Sequence, residues 1–321
     1  MQDPIMKAAF IEEFAQNGNL QIGDLPKPSP MDGEVCIAVK AAGVNPADGK
    51  IAQGLFQSRM PHKFPLILGW EAAGTIESLG KGVQGWKVGD KVFTYCKKPT
   101  LQHGAWAEFV TVSATDIARI PHNLTFEQAA GIPLAGLTAW QALFEKVHLQ
   151  PKETVLIHGG AGGVGSYAIQ WAKNKKAHVI TTATDEKAAY VKKLGADEVI
   201  DYQKHSFVDI LHRTHPAGID VVFDTIGKET YLKSFEVLKK GGRIVSLIEQ
   251  PNQPLAQSKS VEAEYLFVHP DGKCLHEMAL LFEKGAAQLP QIDVLSLDQA
   301  EEALTKIRTG RTVGKIVLRV H

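Results

Sequence analysis

The chain has 321 residues, room for two domains of about 150 residues each and for a sizeable buried core. Its 35 Lys and Arg balance its 35 Asp and Glu, so the formal charge is zero and the clustered basic charge of a broad nucleic-acid interface is missing. With 44% hydrophobic and 22% charged residues the composition is that of a folded globular chain, and the apolar runs fall short of the ~20 residues of a membrane span.

Three cysteines, Cys36, Cys96 and Cys274, form no C-x-x-C pair, so neither a disulfide framework nor a cysteine zinc site is expected. The start, MQDPIMKAAFIEEF, lacks a basic stretch followed by an apolar one and is read as cytoplasmic rather than secretory. Strand-like alternation begins near Met6, which leaves the first five residues as a leader.

In chain order, KAAFIEEF, LQIGDLP and GEVCIAVKAAGV read as short strands between Gly, Pro and Asp turns, and PLILGWEAAGTIESLG, GDKVFTYC and AWAEFVTVS continue in that style. A β barrel or sandwich is expected over roughly 1–120. After Pro121, FEQAAGIPLAGLTAWQALFEKV spaces its apolar residues helically. Strands and helices then alternate: TVLIH, VGSYAIQWAKNK, HVITTAT, DEKAAYVKKLG, EVIDY, SFVDILHRT, DVVFDTIG, a helix over KSFEVLKKGG, RIVSLI and a sixth strand, EYLFV. Near-continuous Val and Ile strands joined by helices describe a parallel sheet covered on both faces. A helix through CLHEMALLFEKG leads to a strand–helix–strand tail, with Asp298 as N-cap and Gly310 as C-cap, and KIVLRV alternates as though returning to the first domain. The expected division is 1–124, 125–269 and 270–321.

In ETVLIHGGAGGVGSYAIQWA, Gly160, Gly162 and Gly165 spell GxGxxG after a strand and at the start of a helix. The first glycine permits the tight turn, the second lets backbone N–H groups approach a pyrophosphate, and the third lets helix and strand pack closely. The helix N-terminus adds a partial positive charge toward the phosphates. Alone the motif is weak; inside five further strand–helix units it points to a Rossmann dinucleotide site, with Gly163 and Val164 on the same turn. An Asp or Glu ending the second strand would bind the ribose hydroxyls of NAD. Here that strand ends at Ala183 and Thr184, and Asp185 is read as N-cap of the next helix. Lys187, in that helix, is either a 2′-phosphate ligand or an exposed charge, and Tyr202 would lie beside it; NADPH is the expected cofactor.

The β-rich first domain, the Rossmann unit and the C-terminal return together resemble the medium-chain dehydrogenase/reductase superfamily over essentially the whole chain. The landmarks are AAGVNPADGK (41–50), PLILGWEAAGTI (65–76), GDKV (89–92), GLTAWQAL (136–143), HGGAGGVG (158–165) and GKIVLRV (314–320). The resemblance implies a GroES-like catalytic domain beside a doubly wound Rossmann domain, an α/β fold. Zinc alcohol dehydrogenases of the superfamily carry ligands where this chain has Asn45, Trp70 and a residue near Pro133, and only Cys96 stands in the region of their four-cysteine lobe. The sequence therefore is similar to the zinc-free quinone oxidoreductase group, and Asn45-Pro46-x-Asp48-x-Lys50 resembles the NPxDxK pattern of the alkenal and enone reductases. Other zinc-free quinone reductases have tyrosines where this chain has Lys50 and Phe56, so a mechanism built on those does not carry over.

Hydride addition to a quinone or an enone makes a delocalised anion, for which a hydrogen-bond donor can stand in for a metal. The expected catalytic residues are Asn45, Asp48 and Lys50, with no metal. Lys50 is either near the acceptor oxygen, its pKa lowered by burial, or exposed or paired with Asp48. Asn45 either holds the nicotinamide ribose or caps a turn before Pro46. The resemblance places Thr138 near the phosphates, and the ends of later strands, Asp224 to Gly227, Leu247, Phe267 and Val268, should line the cofactor crevice. Lys315 is near the cleft or solvated.

His205, Asp209 and His212, with His215 beyond, are read as a solvated helix face rather than a metal site, and no paired carboxylates stand out. Cys36 is read as core and Cys96 as a thiol near the cleft. The expected partners are a small quinone or enone and a second copy of the chain, paired through the apolar EYLFVH edge. Two alternatives stay open: enoyl-thioester reduction, and a non-catalytic NADPH-binding protein.

Overall fold

The computed structural model describes residues 4–16 and 20–320. By their contacts these fall into two units, Met1–Leu137 with His269–His321, and Thr138–Val268. The segment 125–137, assigned by sequence to the second unit, lies in the first, because its helix packs on the strands of that unit.

In the first unit, β1 (Ile5–Ile11), β2 (Gln21–Pro26) and β3 (Glu34–Val44) precede a short helix, α1 (Pro46–Ala52). The strands β4 (His62–Ile67), β5 (Glu71–Leu79), β6 (Lys91–Tyr95), β7 (Leu101–His103), β8 (Phe109–Ser113) and β9 (Ile117–Arg119) follow, then α2 (Phe126–Ala130) and α3 (Pro133–Trp140). The first strand starts at Ile5, one residue inside the expected leader, of which Met1, Gln2 and Asp3 lie outside the described residues.

The second unit takes a π-helical turn, Gln141–Lys146, and then alternates: β10 (Thr154–Ile157), α4 (Gly163–Asn174), β11 (His178–Thr182), α5 (Asp185–Lys193), β12 (Glu198–Ile200), α6 (Phe207–Thr214), β13 (Ile219–Asp224), α7 (Lys228–Ser234), β14 (Leu238–Ser246), α8 (Gln253–Lys259) and β15 (Glu262–Tyr265). The chain then returns to the first unit with α9 (Gly272–Glu283), β16 (Ile292–Ser296), α10 (Ala300–Arg308) and β17 (Lys315–Arg319).

The first unit carries two sheets, β2-β1-β4-β7 and β16-β17-β3-β5-β6-β9, with β8 also on β3. The expected return is made by β17, which runs antiparallel to β3 with Ile316 opposite Val44. The second unit is a six-stranded parallel sheet ordered β12-β11-β10-β13-β14-β15. Leu156, Ile180, Val222 and Ile244 from four adjacent strands, with Tyr231 and Phe235 of the α7 segment, form one buried cluster. Each such side chain contributes about 1.5–3 kcal/mol by leaving water. This is a GroES-like β-rich domain with a Rossmann domain.

Three local expectations are corrected. The helix expected over KSFEVLKKGG is Lys228–Ser234, and LKKGG already belongs to β14, where Gly241 takes φ +76° and bends the strand's entry. Thr184, not Asp185, is the N-cap of α5, and α10 is entered through a 3₁₀ turn, Leu297–Gln299, capped at Ser296 rather than Asp298. Gly310, just past the C-cap Thr309, takes the left-handed φ of +66° that glycine tolerates best. Among the described residues no helix is long and apolar enough to cross a membrane.

Candidate functional site

In the first unit, strand register gathers a charged cluster from distant parts of the chain. On β3 and β5, Ala42 faces Ala72, which sets Gly43 against Glu71; the register of β17 brings Lys315 to the end of β3. Glu71 is fully buried and Lys315 is 3% exposed. Lys315 Nζ donates to Glu71 Oε1 at 2.6 Å and to Asn45 Oδ1 at 2.5 Å, and Asn45 Nδ2 donates to Glu71 Oε1 at 2.7 Å. Glu71 Oε2 accepts from Leu134 N at 2.8 Å, one of the first-turn N–H groups of α3 that has no partner inside its own helix. A Cβ at position 43 would stand 2.1 Å from Glu71 Oε1, so glycine is required there for the carboxylate to fit. A buried ion pair is held only when its remaining polar atoms are bonded, as they are here.

Asn45 takes the capping alternative: it is the N-cap of α1, with Pro46 in the first helical position. Asp48, fully buried, reaches back with Oδ2 to accept from Asn45 N at 2.7 Å, and its Oδ1 has no hydrogen-bond partner. Burial pushes this carboxyl up to about 7, reinforced by the nearby Glu71 charge and opposed by the Asn45 N–H bond and the Lys315 ammonium. Asp48 therefore holds the entry to α1 and presents no atom to solvent, which makes it a positioning residue. Lys50 is exposed, the second of the two alternatives. It is not the partner of Asp48, whose Oδ2 is bonded to Asn45 N and whose buried Oδ1 has no partner.

Trp70 is buried, its ring edge-on to Phe56 at 5.7 Å and to Tyr95 at 6.2 Å. Cys96 is also buried, and desolvation pushes its thiol up, away from the ionised form that reacts. Cys36 is core, as expected, with its thiol raised to about 12 by burial.

In the second unit the glycine turn runs from β10 into α4. Gly159 N donates to Thr182 Oγ1 at 3.0 Å and Gly160 N to Thr182 O at 3.1 Å, which ties the turn to the end of β11. Gly162 is the N-cap of α4, so the N–H groups of Gly163, Val164 and Gly165 begin a helix and have no intrahelical acceptor. A Cβ at Gly165 would meet Gly159 O at 2.3 Å and Gly160 Cα at 2.7 Å, the close packing expected of the third glycine. Beneath the turn His158 is fully buried between Thr182 Oγ1 at 3.3 Å and Ser234 Oγ at 3.0 Å; desolvation lowers it to about 3, so it is neutral.

At the end of β11 lie Thr184, whose buried Oγ1 has no partner, and the half-buried Lys187; Tyr202, just after β12, is 56% exposed. Two nearby carboxylates are engaged. Asp185 pairs with Lys204, which holds its carboxyl below the usual range. Asp201 accepts from Asp185 N and Gln203 N. At the end of β13, Asp224 is buried and accepts from Gly227 N at 3.0 Å and Ser246 Oγ at 2.6 Å, so it braces the turn that follows. Leu247 and the 37%-exposed Phe267 follow the ends of β14 and β15, Val268 is buried, and Thr138 is buried within α3.

Sequence reasoning missed the roles of Glu71 and Lys315, and with them a carboxylate pair, Asp48 and Glu71, in one buried network. The available signal was a single Glu inside the apolar run LILGWEAAGTI. His205 is exposed and His212 Nε2 bonds Glu236 O at 3.1 Å, so the helical histidines do not converge with Asp209.

Comparison with known proteins places this geometry in a family. Residues 31–122 match the alcohol dehydrogenase GroES-like domain, and residues 194–318 match a domain described as zinc-binding dehydrogenase. A 2-methylene-furan-3-one reductase of Solanum lycopersicum is 34% identical over 323 residues, 98% of this chain and 79% of that protein. The quinone oxidoreductase of Coxiella burnetii superposes with a TM-score of 0.89 at 32% identity, covering 99% of this chain and 100% of that one. A mycobacterial protein solved in complex with NADPH gives 0.88 at 30% identity, covering 98% and 100%.

The second domain description raises the question of zinc. The converging side chains in the first unit are an amide, a carboxylate and an ammonium, and the ammonium already supplies the cation that Glu71 neutralises. That donor set does not fit a zinc ion.

Proposed function

The chain belongs to the medium-chain dehydrogenase/reductase superfamily, in its quinone and enone reductase group, and from that premise we propose that it is a zinc-independent reductase moving hydride from NADPH to a quinone or an α,β-unsaturated carbonyl. The observation that carries the reading is the buried Asn45–Glu71–Lys315 cluster, which fills with a fixed ammonium the place where a metal-dependent relative would need soft ligands.

The dinucleotide fits the second unit. The N–H groups of Gly163, Val164 and Gly165 face a pyrophosphate in this reading, Gly160 and Gly162 leave it room, and the unpartnered Thr184 Oγ1 is a donor for the ribose side. The preference for NADPH rests on Lys187 and Tyr202 as 2′-phosphate ligands, and on the engagement of Asp185 and Asp201 by neighbouring groups. Thr138, Leu247, Phe267 and Val268 are assigned to the cofactor crevice on the strand-end rule.

The bound nicotinamide supplies the hydride. Asn45 is the positioning amide, fixed through Glu71 and Lys315 on one side and Asp48 on the other. Lys50, on the exposed side of α1, donates a hydrogen bond and then a proton to the acceptor oxygen as negative charge develops there. Exposure suits this role better than burial, since the side chain has to meet a ligand. The edge position of β15 supports pairing of two copies through that strand.

The test is oxidation of NADPH and of NADH by the purified protein with a simple quinone and with an α,β-unsaturated ketone. Acceptor-dependent oxidation is expected, faster with NADPH, unaffected by a chelator, and reduced roughly 10²-fold in kcat by Lys50→Ala. Tight NADPH binding without oxidation by either acceptor would overturn it, and turnover with an enoyl thioester alone would move the acceptor to that class.

A further inference from the structure

Away from the glycine turn, at the opposite ends of the parallel strands, three side chains meet that the reductase reading does not use. His178 opens β11, Glu198 opens β12, and His215 ends α6. His178 Nε2 lies 2.7 Å from Glu198 Oε1, and His215 Nε2 lies 3.6 Å from the same oxygen. One donor atom from each residue falls within 4.8 Å of the others. We propose that His178, Glu198 and His215 form a site for a divalent transition metal, Zn2+ by its chemistry, that clamps the outer edge of the sheet.

The donor set is two imidazoles and a carboxylate, which suits zinc and its neighbours better than Mg2+ or Ca2+. Around a tetrahedral zinc with bonds of about 2.0–2.1 Å, ligand atoms stand roughly 3.3 Å apart. The present separations of 2.7 and 3.6 Å from Glu198 bracket that spacing, and one donor atom of each histidine lies within 4.8 Å of the other, so binding asks for side-chain shifts of about 1 Å. Both rings also have outer partners. His178 Nδ1 faces Asp197 Oδ2 at 3.6 Å, and His215 Nδ1 is 2.9 Å from Thr214 Oγ1. Asp197 is itself fixed by Val179 N at 2.7 Å and by Lys173 Nζ at 2.9 Å. The Thr214 hydroxyl, which donates to Ile210 O, accepts from His215 Nδ1 and leaves Nε2 to a metal, whereas Asp197 at 3.6 Å gives His178 a charge contact and no hydrogen bond.

An ion pair alone explains less. At 3.6 Å, His215 Nε2 is beyond hydrogen-bond reach of the Glu198 carboxylate. A cation between the three atoms would satisfy both rings at once. The groups are half-buried, which leaves a water for the fourth position. The site joins two strands and a helix end, so its load is structural, and the ion takes no part in the hydride reaction.

The test uses the metal-stripped full chain with Co2+ as the spectroscopic probe and Zn2+ as the competitor. One Co2+ per chain is expected, with the visible absorption of a tetrahedral site, displaced by Zn2+. His178→Gln and His215→Gln should each weaken binding at least tenfold, while His205→Gln leaves it unchanged. Zn2+ in large excess over its dissociation constant should raise the unfolding temperature of the native chain by roughly 5 °C, and not that of the double variant. Should a variant fail to fold, the native chain decides alone, since the imidazole resonances of His178 and His215 must move on Zn2+ addition. Binding that survives in the His178→Gln, His215→Gln chain, or resonances that stay still, would overturn the proposal.

Discussion

The two units build their working parts in opposite ways. In the second, one stretch, residues 158–166, carries the turn, and its key bonds run to the end of the neighbouring strand β11. In the first, Lys315 reaches Asn45 and Glu71 across 270 and 244 residues of sequence, and only the strand register brings them together. The difference shows that a backbone-based site can be written as a local motif, whereas a side-chain cluster has to be assembled by the fold.

The comparison can be broken first at the ion pair. Lys315→Met should strand a buried Glu71 carboxylate and cost about 3–5 kcal/mol in urea unfolding. Adding Glu71→Gln should restore most of it, because no charge is then left unpaired. If the single variant is as stable as the parent, the cluster is not the structural centre of its unit. The corresponding blow to the local motif is Gly165→Ala, whose Cβ would meet Gly159 O at 2.3 Å. It should cost roughly 1–3 kcal/mol and at least tenfold in dinucleotide affinity, read by unfolding and by titration with NADPH.

A pH series sharpens the contrast. Folding raises the Asp48 carboxyl from 3.8 to about 7, so the folded state holds that proton more tightly than the unfolded chain. Its contribution to stability is complete below about pH 4 and is lost as the pH rises through about 7. Asp48→Asn keeps an acceptor for Asn45 N without the charge. The variant should therefore gain on the parent between these limits, by on the order of 4 kcal/mol, and hold a constant lead above. A difference that does not change with pH would mean that Asp48 is ordinary. Smallest is Lys187→Ala, expected to raise KM for NADPH roughly tenfold, the value of about one charge-assisted hydrogen bond, while leaving NADH unchanged.

What the sequence made legible follows the same division. Gly160, Gly162 and Gly165, the Val and Ile strands around them, and the return of KIVLRV were readable because each is a local pattern. Glu71 was not, since one carboxylate in an apolar strand has no periodicity to give it away, and its partners Lys315 and Leu134 N are supplied by β17 and α3. For Lys50 the sequence left burial and exposure both open, because α1 is a short helix that buries Asp48, Gly49, Ile51 and Ala52 while Pro46 and Lys50 face out. The helix over KSFEVLKKGG was overextended because Lys and Leu have good helix propensity, which the pairing of Leu238 with Ile219 overrides.

The most direct test of the account is the fate of the hydride. NADPH carrying deuterium at both hydrogen positions of the nicotinamide C4 should be oxidised by the purified, chelator-treated protein with an α,β-unsaturated ketone, and the product examined by mass spectrometry and NMR. The account predicts one deuterium at the β-carbon, with the proton at the α-carbon drawn from solvent. Oxidation of the cofactor without deuterium in the product, or activity that disappears on chelation and returns with zinc, would contradict it.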